Sequence, residues 1–247
     1  ILNNLPYLYK HKGTKRAIHA ALSIYGIPNS MLTIMEFGGP KDTTTSKLVK
    51  YTYDDSTSAL NINGSKKLTL PWKVYNGSYP SAVEMRVETN TKQNQTILSS
   101  SGWSLDLNYT SGSNANLQLN VLSGSTNYSA STEDFPYFNQ DYTQLVVNRI
   151  TGSTTTFEVH AKEGFQERIR NAVSASVTVG NSNDWNSGSE LIVGGDSSDF
   201  TGSIDEIRLW TTPLSESRIE NHALNGDAID GNHISSSTED LLLRIDF

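Results

Sequence analysis

The stretch that decides the fold is Phe200-Thr-Gly-Ser-Ile-Asp-Glu-Ile-Arg-Leu-Trp210. Apolar and polar residues alternate along much of it, which is the period of a strand that buries one face. Pro213 follows, and a helical pattern then runs to Leu224, where Asn225-Gly226 can close a helix. Either Thr212 or Ser215 can cap its start. We therefore predict one strand that leads into one short helix.

Short runs of the same kind, separated by Ser, Gly, Asn and Thr clusters, recur over most of the chain. They predict further strands at 47–53, 59–62, 66–70, 81–89, 95–99, 102–109, 115–122, 142–150, 154–161, 173–179, 189–194 and 240–247. Residues 151–153, Thr-Gly-Ser, lie between two such runs and predict a hairpin turn. So many short strands without helical periodicity between them predict a mainly β, two-sheet antiparallel sandwich.

The first forty residues differ from the rest, because their apolar residues recur at helical spacing between Leu5 and Tyr25. Two short helices fit this pattern, and Thr14 can cap the second, which Gly26 and Pro28 then end. The alternation at 31–37 predicts a strand. We expect a helix-turn-helix-strand module at 1–40 and the sandwich at 41–247.

Charge and composition exclude several classes of protein. The 247 residues carry 19 Lys and Arg against 26 Asp and Glu, and residues 41–247 alone carry 15 − 25 = −10. An acidic body repels polyphosphate, so we expect no nucleic acid partner. The absence of Cys excludes a disulfide scaffold and a thiol nucleophile. The longest apolar runs are far shorter than the roughly 20 residues that span a bilayer, so we expect no membrane insertion.

The strand at 200–210, with Pro213-Leu-Ser-Glu216 after it, closely resembles the closing strand and helical turn of concanavalin A-like jelly rolls of the laminin G type. Runs at 67–71, 82–87, 97–107 and 142–149 agree with that family in order. The resemblance covers roughly residues 45–247 and implies a jelly-roll sandwich. Residues 159–164 depart from it, because the family has an aromatic-Val-Asn-Gly turn in that place.

Four short motifs near the amino terminus resemble a module of bacteriophage tail and virion structural proteins, including those of crAss-like phages. They are Leu5-Pro-Tyr-Leu8, Lys12-Gly-Thr-Lys-Arg-Ala-Ile18, Tyr25-Gly-Ile-Pro28 and Glu36-Phe-Gly-Gly39. The resemblance implies a virion location, and it implies as partners other virion proteins or further domains of a longer chain. We also expect the sequence to be a piece of a longer polypeptide.

The sequence argues against an enzyme. A glycosidase of this fold needs two carboxylates about 5–10 Å apart on one face of a cleft. Asp205-Glu206 and Glu239-Asp240 are adjacent pairs, so each pair is expected to face opposite sides of its strand. No Gly-x-Ser-x-Gly elbow supports a serine nucleophile, and the five histidines show no metal-ligand spacing. We expect no catalytic residues.

Sugar binding would use exposed aromatic side chains flanked by polar ones. Aromatic rings that stack on a pyranose, flanked by Asn and Asp, form a solvent-open binding site. The candidate ligand-binding residues are Trp185, Asn183, Asp184, Trp103 and Tyr109. For Trp185 a role in covering the sandwich edge is favoured over sugar stacking, whereas Trp72 and Trp210 lie in strand-like runs and are expected in the core.

Calcium is the one cofactor that the loops favour, because carboxylate oxygens on turns suit it and the resembled family often carries a site. The metal candidates are Asp196, Asp199 and Asp205, with 54–55 and Asp184 as further acidic positions. Asp in Ser- and Gly-rich turns also caps its own backbone, and the sequence leaves that alternative open.

Two functions from different classes stay open. The first is a non-enzymatic virion module, in which the sandwich decorates or spaces a larger particle. The second is a lectin-like domain that recognises polysaccharide on a host surface. A polysaccharide hydrolase is a weaker third alternative, because the two-carboxylate signature is missing.

Overall fold

The computed structural model describes residues 5–26, 59–64, 66–73, 79–165, 168–185, 190–194, 200–232 and 240–247. The chain divides into two compact units, Ile1–Asp55 and Ser56–Phe247. The predicted strands at 31–37 and 47–53 lie outside the described residues.

The first unit contains the two predicted helices, α1 (Leu5–Lys10) and α2 (Lys15–Ile24). Thr14 caps α2 as expected, because its side chain accepts a hydrogen bond from the backbone N–H of Ala17 at 3.4 Å. Gly26 follows the helix at a φ of +81°, a left-handed conformation that favours glycine. The signals at Thr14 and Gly26 are therefore confirmed, and Pro28 lies outside the described residues.

Within the described residues the second unit contains thirteen strands and one helix. The strands are β1 (Leu60–Asn63), β2 (Leu68–Pro71), β3 (Ala82–Glu88), β4 (Gln95–Ser100), β5 (Trp103–Ser111), β6 (Asn114–Ser123), β7 (Thr126–Ser131), β8 (Thr143–Thr151), β9 (Thr155–Phe165), β10 (Arg168–Val179), β11 (Glu190–Val193), β12 (Thr201–Trp210) and β13 (Leu241–Ile245). The helix is α3 (Glu216–Leu224).

These strands form two antiparallel sheets. The seven-stranded sheet has the order β1-β12-β3-β8-β9-β10, with β13 also paired to β12, and the six-stranded sheet has the order β2-β11-β4-β5-β6-β7. The chain crosses between the sheets six times, at β1–β2, β2–β3, β3–β4, β7–β8, β10–β11 and β11–β12, so strands far apart in sequence lie side by side. This nested order is that of a jelly roll. The predicted two-sheet antiparallel sandwich is confirmed.

The core lies between the sheets and follows from the period of two. On β5 and β6 the inward residues Leu105, Leu107, Leu117 and Leu119 have no exposed surface, while their polar neighbours point outward and are half-buried. Burial of each such side chain stabilises the folded state by roughly 1.5–3 kcal/mol.

Helix α3 packs on the outer face of the seven-stranded sheet, against β8, β9 and β10. A second, smaller core forms beneath it from Val146, Trp210, Leu214 and Ile219. Gly164 allows this approach, because a Cβ at that position would collide with the backbone carbonyl of Ala223 in α3. The predicted helix after Pro213 is thus confirmed, although it begins only at Glu216. The expected side-chain cap is not formed, because Ser215 is the N-cap residue but makes no cap hydrogen bond and the hydroxyl of Thr212 has no partner among the described residues.

A buried carboxylate also anchors this helix. Glu84 on β3 accepts hydrogen bonds from Gln144 Nε2 at 2.7 Å and from Trp210 Nε1 at 2.8 Å. His222 of α3 bonds the same carboxylate through Nδ1 at 2.6 Å, and its Nε2 lies 3.0 Å from the carbonyl of Asp230. Because a buried polar group is costly when unpaired, these contacts hold α3 in one place on the sheet.

The expectation for Asp205 and Glu206 was wrong. A β-bulge lies between Asp205 and Ile207, and Glu206 has a φ of +52°. The bulge cancels the usual alternation, so both carboxylates point to the outer face of the seven-stranded sheet. Asp205 pairs with Arg86 at 3.2 Å, and Glu206 pairs with Arg208 at 3.0 Å.

Candidate functional site

A cleft of about 370 Å³ opens at one end of the sandwich. Two segments form its walls, the β6–β7 turn and the loop that follows β10. Its lining consists mostly of small polar side chains: Leu122, Ser123, Gly124, Asn181, Ser182, Asn183, Asp184 and Trp185. Three of the predicted site residues, Asn183, Asp184 and Trp185, therefore meet here.

Hydrogen bonds join the two walls. Ser123 donates its hydroxyl to Asn181 Oδ1 at 3.1 Å, and Asn183 Nδ2 donates to the carbonyl of Leu122 at 3.2 Å. The turn between β6 and β7 is tight, and Gly124 occupies it with a φ of +61°. The mouth of the cleft is thus fixed before any ligand arrives.

Asn183 sets the path of the loop towards the core. Its backbone N–H donates to Thr155 Oγ1 at 2.8 Å, and its Oδ1 accepts from the backbone N–H of Trp185 at 2.8 Å. This Asx turn leads directly into a left-handed residue, because Trp185 has a φ of +45°. Such a conformation is strained for a bulky side chain and persists only where surrounding contacts hold it.

The indole of Trp185 supplies those contacts. Its ring stacks on Trp103 with centroids 4.9 Å apart and meets Trp72 edge-on at 5.3 Å. Its Nε1 donates to the carbonyl of Pro80 at 2.8 Å, and its own carbonyl accepts from Trp72 Nε1 at 3.3 Å. These rings join the core of the sandwich beneath the cleft.

This placement corrects the hypothesis of a stacking platform. Trp185 is 2% exposed and Trp103 is 3% exposed, so neither ring offers a face to a pyranose. The left-handed backbone turns the Trp185 side chain inward, which its polar sequence neighbours did not indicate. The alternative role, covering the end of the sandwich, fits what the structure shows. Trp72 and Trp210 are buried, as expected.

Arg149 of β8 lies beneath the loop and is not among the residues that the sequence predicts for the site. Its Nη1 donates to the carbonyl of Asn183 at 3.4 Å, and its guanidinium lies 5.9 Å from the Trp185 ring centroid. Burial lowers the pKa of Arg149 from its ordinary value, while the nearby charge of Asp184 opposes that shift. Arg149 therefore connects the loop that lines the cleft to the core of the sandwich. It follows a buried apolar run of β8, and no local motif marks it.

Tyr109 does not belong to this cleft. It lies six residues beyond Trp103 on β5, about 20 Å away at strand spacing. Its ring is 36% exposed and meets Phe138 edge-on at 5.7 Å, and its N–H donates to Asn94 Oδ1 at 3.0 Å. The structure therefore separates Tyr109 from the other predicted site residues.

The described residues do not fit a calcium site. Asp205 is 3% exposed and binds Arg86, and burial is the main cause that raises its pKa above the ordinary value. A carboxylate that is buried and paired with a cation is a poor ligand for Ca²⁺. Among the described residues no group of three or more His, Asp or Glu could hold a metal ion. Asp196, Asp199 and positions 54–55 lie outside the described residues.

Solved structures similar to this chain include a pentraxin, a laminin region and a phage module. The native heptameric SAP-like pentraxin from Limulus polyphemus is 17% identical with a TM-score of 0.43, over 76% of this chain and 91% of that one. The LG1-3 region of the laminin α2 chain is 15% identical with a TM-score of 0.44, over 64% and 32%. The CBM2 module of the evolved Dit of Lactobacillus casei BL23 phage J-1 is 18% identical with a TM-score of 0.30, over 56% and 64%.

The chain spans less than two thirds of the laminin and phage structures. No family model matches it, and no curated protein matches it either. The fold assignment rests on the strand order of this chain. In the part of the chain that the structure describes, no helix has the length and apolar character needed to cross a membrane.

Proposed function

We propose that this chain is a non-enzymatic, carbohydrate-binding β-sandwich module that a virion carries on its surface. The observation that supports this proposal is the preformed cleft at the end of the sandwich, walled by 122–124 and 181–185. Its volume of about 370 Å³ falls within the range of roughly 300–1,000 Å³ that is typical of small-molecule sites.

The chemistry of the lining suits a sugar. Amide, hydroxyl and carboxylate groups of Asn181, Ser182, Asn183 and Asp184 offer donors and acceptors that match the hydroxyls of a saccharide. Because the loop is already held by Trp185 and Arg149, little conformational entropy is lost when a ligand binds. Recognition here depends on hydrogen bonds rather than on stacking.

The surroundings of the buried carboxylates support binding without catalysis. Asp205 and Glu206 lie on one face of the sheet, but each is already paired with an arginine: Asp205 with Arg86 and Glu206 with Arg208. Glu206 is also only 1% exposed. A glycosidase needs two carboxylates that both reach the scissile bond. A hydrolase working through this pair would have to uncover it first.

A glycan array tests the binding proposal. Wild-type protein should show selective hits that Asp184→Asn and Asn181→Ala each weaken, because both side chains line the cleft. Ser176→Ala, at an exposed position on β10, is the matched control and should leave the hits unchanged. Hits that survive both cleft variants, or a wild-type protein without hits, would contradict the proposal. Release of reducing sugar from a bound glycan would instead favour the hydrolase.

The second candidate is a structural spacer of the same particle. It is favoured by the compact unit Ile1–Asp55, in which α1 and α2 hold two of the four motifs that resemble phage virion modules, Leu5-Pro-Tyr-Leu8 and most of Lys12-Gly-Thr-Lys-Arg-Ala-Ile18. In this case the partners are other virion proteins or further domains of a longer chain. Removing residues 1–55 should abolish incorporation into particles, measured by antibody labelling in electron micrographs. The cleft variants should then change neither incorporation nor adsorption to host polysaccharide.

A further inference from the structure

The outer face of the six-stranded sheet carries a continuous set of hydrogen-bonded polar side chains, here called the amide ladder. These side chains point away from the core at alternate positions of three neighbouring strands. They are Ser104, Asp106 and Asn108 on β5, Asn116, Gln118 and Asn120 on β6, and Ser129 and Ser131 on β7. The strand register places them in rows: Ser104 opposite Asn120, Asp106 opposite Gln118, and Asn108 opposite Asn116.

One half of the ladder centres on Asp106. Its carboxylate accepts from Thr96 Oγ1 at 2.7 Å, from Ser104 Oγ at 2.9 Å and from Asn120 Nδ2 at 2.8 Å. Three donors at these distances satisfy both carboxylate oxygens and fix the amide of Asn120. Gln118 then donates to Asn120 Oδ1 at 3.1 Å, which carries the hydrogen bonding along β6.

The other half of the ladder keeps unused hydrogen-bonding groups. Asn108 Nδ2 donates to Gln118 Oε1 at 2.9 Å, and Ser131 Oγ donates to Asn116 Oδ1 at 3.2 Å. Within the described residues, Asn116 Nδ2 donates no hydrogen bond and Asn108 Oδ1 accepts none. The ladder therefore holds its side chains in place and still presents a donor and an acceptor outward.

The face is almost free of charge. From Trp103 to Thr132 the sequence contains a single charged residue, Asp106, in a chain with 45 Asp, Glu, Lys and Arg residues (19 + 26). Strands β5, β6 and β7 carry no Lys or Arg to attract a sulfate or carboxylate. The one large apolar side chain that continues the ladder on β6 is Leu122, 45% exposed, and a single such residue is a small anchor for a protein partner. An uncharged ligand covered in hydroxyls is the partner that such a surface fits.

We propose that the amide ladder is a second binding site, which takes a neutral polysaccharide chain. Three strands at about 4.8 Å spacing, with three alternate positions along β5 and β6 and two along β7, give a flat face of roughly 10 by 13 Å. That is the shape for an extended chain segment rather than for a compact molecule. The ladder adjoins the cleft along β6, because Asn120 lies two residues before Leu122 on the same face, but none of its members lines the cleft, so the proposal stands on the ladder residues alone.

Affinity electrophoresis tests this proposal. The full chain is run in native gels that contain dextran, galactomannan, arabinoxylan or mixed-linkage glucan, and in gels that contain alginate or heparin. We expect retardation by at least one neutral polysaccharide. Combining Asn108→Ala with Asn116→Ala should raise the dissociation constant by roughly tenfold or more, since each variant removes a hydrogen-bonding amide.

Two further variants separate this site from its alternatives. Asn116→Asp keeps the side-chain shape but replaces the outward donor with an acceptor, so it should weaken binding although the ladder stays intact. Asp184→Asn, in the cleft, weakens only binding that passes through the cleft, so retardation that Asp184→Asn abolishes and the ladder variants leave intact would overturn the second site. Ser174→Ala, at an exposed position on β10, should leave retardation unchanged. Circular dichroism and the melting temperature confirm that each variant is folded. The proposal is overturned if no neutral polysaccharide retards the protein, if only the anionic ones do, or if the ladder variants migrate like the wild type.

Discussion

Replacing Trp185 distinguishes a core residue from a stacking platform. The ring is 2% exposed, and loss of a buried Trp side chain costs about 3–5 kcal/mol. The change also leaves the carbonyl of Pro80 without its donor, which adds about 1–3 kcal/mol. Trp185→Ala should therefore lower the free energy of unfolding by at least about 4 kcal/mol, against a typical total of about 5–15 kcal/mol.

Trp185→Phe is the matched variant, because it keeps an aromatic ring against Trp103 and removes the Nε1 donor. Its cost should be about 1–3 kcal/mol, the penalty for the orphaned carbonyl. Urea unfolding followed by far-ultraviolet circular dichroism measures both values without relying on the fluorescence of the mutated residue. If Trp185→Ala lowered the stability by less than about 1 kcal/mol, as surface substitutions do, the buried ring would be refuted.

Three further substitutions test the outer face of the seven-stranded sheet. Gly164→Ala should destabilise by about 1–3 kcal/mol, because the new Cβ meets the α3 backbone, whereas Gly180→Ala, with open space around it, should change the melting temperature little. Glu206→Gln removes the carboxylate that lies 3.0 Å from the guanidinium of Arg208, which has no exposed surface and keeps the carboxylate of Glu84, at 3.5 Å. The change should cost about 1–3 kcal/mol in urea unfolding, and a cost below about 1 kcal/mol would contradict the buried pair. Burial raises the pKa of Asp205 above its ordinary 3.8, so the folded state holds this proton more tightly than the unfolded state does. The stabilisation that protonated Asp205 provides is fully present below pH 3.8 and is lost as the pH rises through the raised pKa. Because Asn does not titrate, the free energy of unfolding of Asp205→Asn should rise relative to that of the wild type over this pH range. A difference in the free energy of unfolding that does not change with pH would contradict this sign.

The sandwich could be predicted from sequence because its strands bury one face each. On β5 and β6 every second residue is apolar, and this pattern alone marks the core. The hairpin at 151–153 was also recognisable, since β8 and β9 pair directly across it. The edge strand β7, Thr126–Ser131, was missed. Only Tyr128 and Ala130 are apolar there, which is too few for a recognisable alternation.

The two errors at candidate residues have one physical cause. Trp185 and Glu206 both adopt positive φ angles, which side chains other than glycine rarely take. At each residue the backbone reverses the direction that sequence spacing predicts, so Trp185 points into the core and Glu206 joins Asp205 on one face. Tertiary packing holds both conformations, and nothing local in the sequence encodes it.

The contact between the β6–β7 turn and the loop after β10 also could not be predicted from the spacing of residues in the sequence. Ser123 and Asn181 are 58 residues apart and meet only because β7 and β10, the edge strands of the two sheets, lie on the same side of the sandwich. Asn183 and Asp184 could be selected because they flank a tryptophan in a polar loop. Their partners on the β6–β7 turn could not.

The central claim is that the cleft between the β6–β7 turn and the loop after β10 binds carbohydrate. The most direct measurement is the dissociation constant of one array-selected glycan for the wild type and for Asn181→Ala, by titration calorimetry. We predict saturable binding by the wild type that weakens roughly tenfold or more in the variant, the loss expected for a ligand-contacting amide. Equal affinities in two proteins with the same melting temperature would contradict the account.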